Sequence, residues 1–370
     1  MEPHHMSTSK VTARKTRFPE FTAGGSPSDI GSAIGEQFRD TIRGHSELVL
    51  DRFNRSAAVP VSAEDATAIA AAAVPYAEAY LPDAVAELRA TALAAGVPFQ
   101  RVMLINVRSM LSAGSEGCTS VMIGAKTSAS GVGIAGQNWD NDPAMDEYSA
   151  VITRRPQGKP AFMSWCQPGV IAYMGFSDAG FGVCMNALNG PSRRNGVGWY
   201  FLVRSIYEEQ SLGSIVKRFR STRRAMTANA AMITPEGPAD LEITLDSVEV
   251  LKASEAETLV HTNHCVHENL LPYNESYADS IFGQSFDRKS RAEELLSQVS
   301  AGKFSVDDVK NILSDKQGYP TSINRYPNDH PSSGWQRSVI SMIVEPDAGL
   351  MHVTRGNPGD NPYEVYQLGK

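Results

Sequence analysis

Near residue 115 the chain changes its hydrophobic period, and this change limits the fold more than any other feature. Before it, apolar residues follow helical spacing. Ile34, Phe38 and Ile42 recur every four residues behind a Ser26–Asp29 start signal. Ser62 with Asp65 three residues on reads as a capping box ahead of an Ala-rich run. Pro75 and Pro82 are expected to break that run, with Pro82 in the first turn of a new helix that Gly96 closes. Pro98 opens a shorter helix over roughly 99–111. After residue 115 the runs are short and apolar or alternating: Thr119–Ile123, Val132–Gln137, Ala150–Thr153, Val170–Met174, Phe181–Met185, Leu241–Leu245 and Ser341–Val344. Turns at Ser130-Gly131 and Ala179-Gly180 separate several of them. Helices are expected at Trp199–Glu209, Ser214–Arg220, Ser290–Val299 and Val306–Leu313. Strand meanders with helices grouped outside them predict layered α+β packing.

Composition narrows the function. The 370 residues, 42% of them hydrophobic, suffice for one large domain or two moderate ones. A net charge of −7 with both signs mixed gives no reason to expect a nucleic-acid partner. No stretch approaches the ~18 uninterrupted apolar residues of a membrane span. The first 21 residues lack the apolar core of a secretion signal, so a cytoplasmic protein is expected, with residues 1–25 as a loose arm. Cys118, Cys166, Cys184 and Cys265 are scattered without a CxxC pair, which suits a reduced compartment. Cys166 and Cys184 lie within apolar runs and read as small buried hydrophobes.

Glu116-Gly117-Cys118-Thr119-Ser120 stands where helices give way to strands. Gly117 lacks a Cβ, so its carbonyl is open to close approach by a nucleophile. The Cys118 thiol could attack that carbonyl, shift the acyl group from nitrogen to sulfur, and let water release it. The new chain would begin at Cys118 with a free α-amine beside its own thiol. With reference pKa values of about 7.7–8 and about 8.5, the two groups exchange a proton readily, and one residue supplies nucleophile and base. Gly136-Gln137-Asn138-Trp139-Asp140 closes a strand one hairpin later, where Asp140 could hold the new ammonium. An ordinary strand-end turn is the plainer reading. His261-Thr262-Asn263-His264-Cys265 fits no zinc spacing, and Asn263 reads as an oxyanion-hole donor. Arg325 could stabilise a thiolate or clamp a carboxylate, although by spacing alone a surface arginine is the default.

In order, these strings resemble the acyl-coenzyme A:isopenicillin N acyltransferase family (peptidase family C45), distant relatives of the choloylglycine hydrolases. The likeness spans about residues 28 to 355 and includes Gly-Cys-Thr at 117–119, Gly-Gln-Asn-Trp-Asp at 136–140, Gly-Phe-Ser-Asp-Ala-Gly at 175–180, Asn-Ala-Leu at 186–188 and Val-His-Thr-Asn-His-Cys at 260–265. The resemblance implies an αββα N-terminal-nucleophile sandwich with antiparallel sheets. It implies autocleavage between Gly117 and Cys118, giving a helical α chain ending at residue 117 and a catalytic β chain over 118–370 that stay associated. It assigns Cys118 as nucleophile, Asp140 as the acid beside it, Asn263 as oxyanion donor, Arg325 as the late arginine and Asn186 as a second oxyanion group. It calls for no cofactor or metal, and for a small-molecule amide or thioester substrate, acyl-coenzyme A among them. Two departures stand out: Glu116 replaces an aspartate before Gly-Cys, and neutral Gln137 replaces the arginine that choloylglycine hydrolases carry.

The expected activity is an amidohydrolase or acyltransferase working through a Cys118 thioester. Two rivals remain open on sequence: an unprocessed thiol hydrolase pairing Cys118 with His261 or His264, and a catalytically silent binding protein.

Overall fold

Ser26 caps the first helix, α1 (Pro27–Gln37), and a reciprocal bond from Asp29 completes the capping box. The computed structural model describes residues 15–56, 59–111, 117–253, 257–278, 283–300, 303–331 and 334–369. Four more helices follow: α2 (Arg39–Ser56), α3 (Ala63–Tyr80), α4 (Pro82–Ala95) and α5 (Phe99–Val107). As expected, Ser62 caps α3, Pro82 opens α4, and Gly96 closes it in the left-handed conformation. Pro75 does not break α3; it sits on an exposed face within it, where one lost backbone bond is tolerated. Two glycines one turn apart let α1 lie against α4. A Cβ on Gly31 would fall 2.1 Å from the Glu87 carbonyl oxygen, and one on Gly35 would fall 2.5 Å from that of Thr91.

The strands are β1 (Glu20–Gly25), β2 (Gly117–Ile123), β3 (Ile134–Asn141), β4 (Ala150–Pro156), β5 (Phe162–Cys166), β6 (Met174–Ser177) and β7 (Gly182–Ala187). Helices α6 (Trp199–Ile206) and α7 (Leu212–Arg220) lead to β8 (Ala228–Thr234), β9 (Gly237–Ile243), β10 (Val248–Lys252) and β11 (Thr258–His261). Helices α8 (Leu271–Ser276), α9 (Gly283–Ser297) and α10 (Val306–Leu313) precede β12 (Arg337–Glu345), β13 (Leu350–Arg355) and β14 (Tyr363–Gln367). One sheet has eight strands in the order β1-β4-β5-β6-β7-β8-β9-β10, and the other has six in the order β11-β2-β3-β12-β13-β14. The sheets face each other across β2 and β3 on one side and β7 and β8 on the other. Helices α1 to α7 share the core of the larger sheet, while α9 and α10 cover the outer face of the smaller one. The four layers are helix, sheet, sheet, helix.

Two further expectations need correction. Residues 20–25 are not a loose arm: β1 pairs in parallel with β4, the one parallel pairing between named strands, and Phe18 is buried beside it. Residues 1–14 lie outside the described residues, as does Glu116. Val170–Met174 is not a strand, and only Met174 begins one. That buried segment is held by Asn106, which donates to the Gly169 carbonyl at 2.8 Å and accepts from Ile171 N at 2.8 Å.

The β2–β3 hairpin sets up the site through strand alternation. Cys118, Ser120 and Met122 point between the sheets, with Ser120 bonded to Asn186 on β7. Thr119, Val121 and Ile123 point toward α9 and α10. Gly117 pairs with Asp140 and Cys118 with Trp139. β3 runs on to Asn141, so Asp140 is a strand residue and not part of a turn.

Candidate active site

Cys118 is 1% exposed, and its thiol side faces a cavity of about 400 Å³. Trp139, Tyr173, Met185, Trp199 and Tyr200 build an apolar wall to this cavity, and Asn186 adds an amide. β11 pairs with β2 only as far as Ser120, so another group must satisfy the Cys118 backbone. The Asn263 side chain does so, its Oδ1 accepting from Cys118 N at 2.9 Å. Asn263 Nδ2 donates to the Ala187 carbonyl at 3.0 Å, and Asn263 N donates to Ser285 Oγ at 2.7 Å. The Cys118 carbonyl accepts from Arg288 Nη1.

Asp140 lies on the opposite face of the hairpin, against Gly117. A Cβ on residue 117 would stand 2.9 Å from Asp140 Oδ2 and 3.1 Å from its Cβ, so glycine is the residue that fits. Asp140 Oδ1 accepts from Ser338 Oγ at 2.6 Å, and Oδ2 has no hydrogen-bond partner among the described residues. Burial pushes the Asp140 carboxyl above its ordinary range, against the pull of Arg325, Arg288 and the Ser338 bond.

Arg325 is not the surface arginine that spacing suggests. It is 1% exposed, with Nε 3.7 Å from Asp140 Oδ2, Nη1 donating to Gln336 at 2.8 Å and Nη2 to Gln284 at 2.7 Å. Its backbone N donates to Ser338 Oγ at 2.9 Å, so one hydroxyl ties Arg325 to Asp140. Asn186 is buried on β7, its Oδ1 accepting from Ser120 Oγ at 2.8 Å. The fold thus gathers Gly117, Cys118, Asp140, Asn263 and Arg325 around one peptide, with Asn186 reaching from β7 to Ser120, two positions along β2 from Cys118.

A model of the acyl-coenzyme A:6-aminopenicillanic acid acyl-transferase family matches residues 127–360, more than half of the chain. The chain belongs to that family. The match begins nine residues after Cys118, so it spans Asp140, Asn186, Asn263 and Arg325 but stops short of the thiol. A curated relative from Emericella nidulans, the 40 kDa form of acyl-coenzyme A:6-aminopenicillanic-acid-acyltransferase, is 26% identical over 72% of this chain and 73% of its own. Among solved structures, penicillin V acylase from Agrobacterium tumefaciens is 9% identical with a TM-score of 0.45, covering 68% of this chain and 86% of its own. A variant of the conjugated bile acid hydrolase from Clostridium perfringens is 10% identical with a TM-score of 0.46, covering 68% and 97%.

In this acyltransferase-family member, Arg288 is the site residue that sequence reasoning missed. It is 2% exposed, its Nη1 also donates to Thr119 Oγ1 at 2.9 Å, and its Nη2 donates to Asn263 Oδ1 at 2.7 Å. Burial and the neighbouring Arg325 lower its pKa to about 10, with Asp140 opposing them. α9 begins at Gly283, seven residues before the expected start, which is why Arg288 was passed over. The available signal was the series Arg288, Ala292 and Leu296, all buried at helical spacing.

The histidines proposed as partners of the thiol are engaged elsewhere. His261 Nε2 meets Glu242 at 2.9 Å and Nδ1 meets the Thr262 carbonyl at 2.8 Å. His264 Nδ1 meets Ser285 Oγ at 2.8 Å, and burial pulls its pKa down to about 3. Neither lines the cavity that holds Cys118. Among the described residues, no group of three His, Cys, Asp or Glu side chains is placed to hold a metal, and no helix is long and apolar enough to cross a membrane. Cys166 and Cys184 are buried in the core, and burial raises both thiols.

Proposed function

We propose that this protein cleaves its own chain between Gly117 and Cys118 and then works as an amidohydrolase or acyltransferase through a Cys118 thioester. The observation that carries the reading is the crowding around one peptide bond. Asp140 Oδ2 lies where a side chain of residue 117 would be, Asn263 holds the nitrogen of Cys118, and the sulfur faces a cavity. In processing, Cys118 Sγ adds to the Gly117 carbonyl, the peptide nitrogen leaves as the α-amine, and water hydrolyses the resulting thioester. Asn263 Oδ1 keeps its bond to that nitrogen, and Asp140 Oδ2 is the acceptor for the ammonium. In turnover the α-amine takes the thiol proton and sulfur attacks the substrate carbonyl. The leaving amine or thiol then departs with that proton, and water or an amine receives the acyl group.

Asn263 Nδ2 and Asn186 are the side-chain donors assigned to the oxyanion, with Nδ2 releasing the Ala187 carbonyl as it turns to the substrate. Arg288 and Arg325 balance Asp140 and the sulfur as charge develops. A small-molecule amide or thioester is the substrate class, and acyl-coenzyme A thioesters are in range because the Emericella relative is named for them.

The two chains are expected to stay together. Glu87, on the α-chain side, bonds Arg154 at 2.7 Å and Arg204 at 2.9 Å on the β-chain side, with all three side chains 2% exposed. The test is a denaturing gel with intact-mass measurement. Wild type should run as two pieces divided before Cys118, and Cys118→Ala as one inactive chain. An uncut wild-type protein that turns over amides would overturn the reading.

A further inference from the structure

His261 takes no part in the reaction derived above, yet its buried ring stands two residues before Asn263. It pairs with Ser120 across β11 and β2, so its side chain points between the sheets, as that of Ser120 does. There it meets Asp240 and Glu242, which share one face of β9 on either side of Leu241. His261 Nε2 is 2.9 Å from Glu242 Oε1 and 3.9 Å from Asp240 Oδ2, and all three side chains are 1% exposed or less. On the other edge of the ring, Nδ1 is 2.8 Å from the Thr262 carbonyl oxygen.

Both ring nitrogens therefore face acceptors. A carbonyl oxygen cannot donate, and Glu242 is fixed as an acceptor by two backbone donors, Val266 N at 2.5 Å and His267 N at 3.0 Å. Filling both bonds takes two N–H groups, which only the imidazolium carries. The surrounding charges agree. Burial opposes a charged ring, but Asp240, Glu242 and the Thr262 carbonyl outweigh it and raise the His261 pKa. Burial pushes the Asp240 carboxyl up to about 6, so it is ionised at neutral pH, and Asn229 Nδ2 donates to it. In the loop that follows, burial holds His264 down to about 3 and pushes Cys265 up to about 12, so both are neutral. His267 faces Glu249 at 3.7 Å, and from α9 Lys289 acts on Asp240 and, with Arg288, on His264.

Both amides assigned to the oxyanion are tied to this residue. The His261 carbonyl accepts from Asn186 Nδ2 at 3.5 Å, and the Thr262 carbonyl that meets Nδ1 belongs to the peptide leading into Asn263. We propose that His261 is a positioning residue: as an imidazolium it clamps the Thr262–Asn263 peptide and so aims the Asn263 amide, and it releases that clamp on losing the Nδ1 proton. Nε2 keeps its own proton against the Glu242 carboxylate. The Nδ1 lone pair then confronts the Thr262 carbonyl oxygen, and the two repel. Since the folded pKa lies above the ordinary 6.5, the clamp is complete below 6.5 and is lost as pH rises through the folded value. The inference rests on the reading of Asn263 as oxyanion donor in amide or thioester chemistry at Cys118.

Nitrogen NMR of histidine-labelled full-length protein reads the charge, with the His261 signal identified by its loss in His261→Asn. Both His261 nitrogens should carry protons at neutral pH, and Asp240→Asn should lower the midpoint of their titration by about one pH unit or more. In amide turnover, kcat should fall by about tenfold or more across that midpoint with KM unmoved, and Asp240→Asn should carry this alkaline limb down by the same shift. A merely structural role for Asp240 would move neither. A neutral His261 ring at neutral pH overturns the inference, as does a kcat limb that departs from the NMR midpoint in wild type or stays in place when Asp240→Asn moves it. If no amide is turned over, the reading of the reaction fails, and the clamp is decided by NMR with hydrogen exchange of the Asn263 backbone amide. Across the midpoint that exchange should quicken by about tenfold beyond the effect of hydroxide. Exchange that follows hydroxide alone would refute the clamp.

Discussion

Replacing Gly117 with alanine tests the heart of the site with one methyl group. The added Cβ would stand 2.9 Å from Asp140 Oδ2 and 3.1 Å from Asp140 Cβ, where ordinary contact begins at 3.4 Å. Something must give by several tenths of an ångström. Asp140 cannot easily be the one, because Ser338 holds it at 2.6 Å and β3 fixes its backbone opposite residue 117. Overpacking of this kind costs about 1–3 kcal/mol, which corresponds to a fall of roughly 1–4 °C in Tm for a chain of this size. Processing should suffer more, since displacement of a catalytic group by about 1 Å costs on the order of a hundredfold in rate. A time course of chain cleavage on denaturing gels, read beside a melting curve, gives both numbers. The double variant Gly117→Ala with Asp140→Ala should recover part of the lost stability, because the overlap with Oδ2 at 2.9 Å is gone while the Cβ contact at 3.1 Å remains, without recovering cleavage. If Gly117→Ala is cut as fast as wild type at unchanged Tm, the close approach of Asp140 to the scissile peptide is not what makes the bond labile.

Other substitutions probe separate parts of the argument. Arg288→Ala should slow turnover by about tenfold or more, because the Cys118 carbonyl and Asn263 Oδ1 each lose a donor at about 1–3 kcal/mol. Arg288→Lys should restore part of this in kcat. Glu87→Ala leaves Arg154 and Arg204 buried without their shared carboxylate. It should cost about 3–5 kcal/mol in urea unfolding and let the cleaved chains separate on size exclusion. His45 titrates near 6.5 when unfolded and at about 3 when folded, so its stabilising contribution is complete above pH 6.5 and lost as pH falls toward 3. Urea unfolding between pH 7 and 4 should therefore be shallower in His45→Phe, by up to about 1.4 kcal/mol per pH unit. An unchanged slope would place His45 in water and not in the core.

Local chemistry was readable from the chain alone. Ser26 and Ser62 cap their helices, Gly96 closes α4, and the change of period near residue 115 marks the passage from helices to strands, because each depends on neighbours within a few residues. The placement of Cys118 opposite Trp139 was also legible, since a hairpin brings together residues about twenty apart. β1 was missed because its partner β4 lies over a hundred residues away and the pairing is parallel, which no local pattern announces. Arg325 read as a surface residue because its neutral neighbours Gln284 and Gln336 come from distant segments.

The sequence by itself determined which residue types are available for acyl chemistry and which strand holds them, since alternation along a strand is a property of the backbone. Only the tertiary structure decided what each of them faces. Burial on the helix-covered outer face of the smaller sheet raised the Asp140 carboxyl and set Arg288 against the Cys118 carbonyl, and the packing of α2 turned His45 toward a cavity. Those outcomes depend on desolvation and on contacts between segments far apart in the chain, and neither quantity is written in any stretch of neighbouring residues.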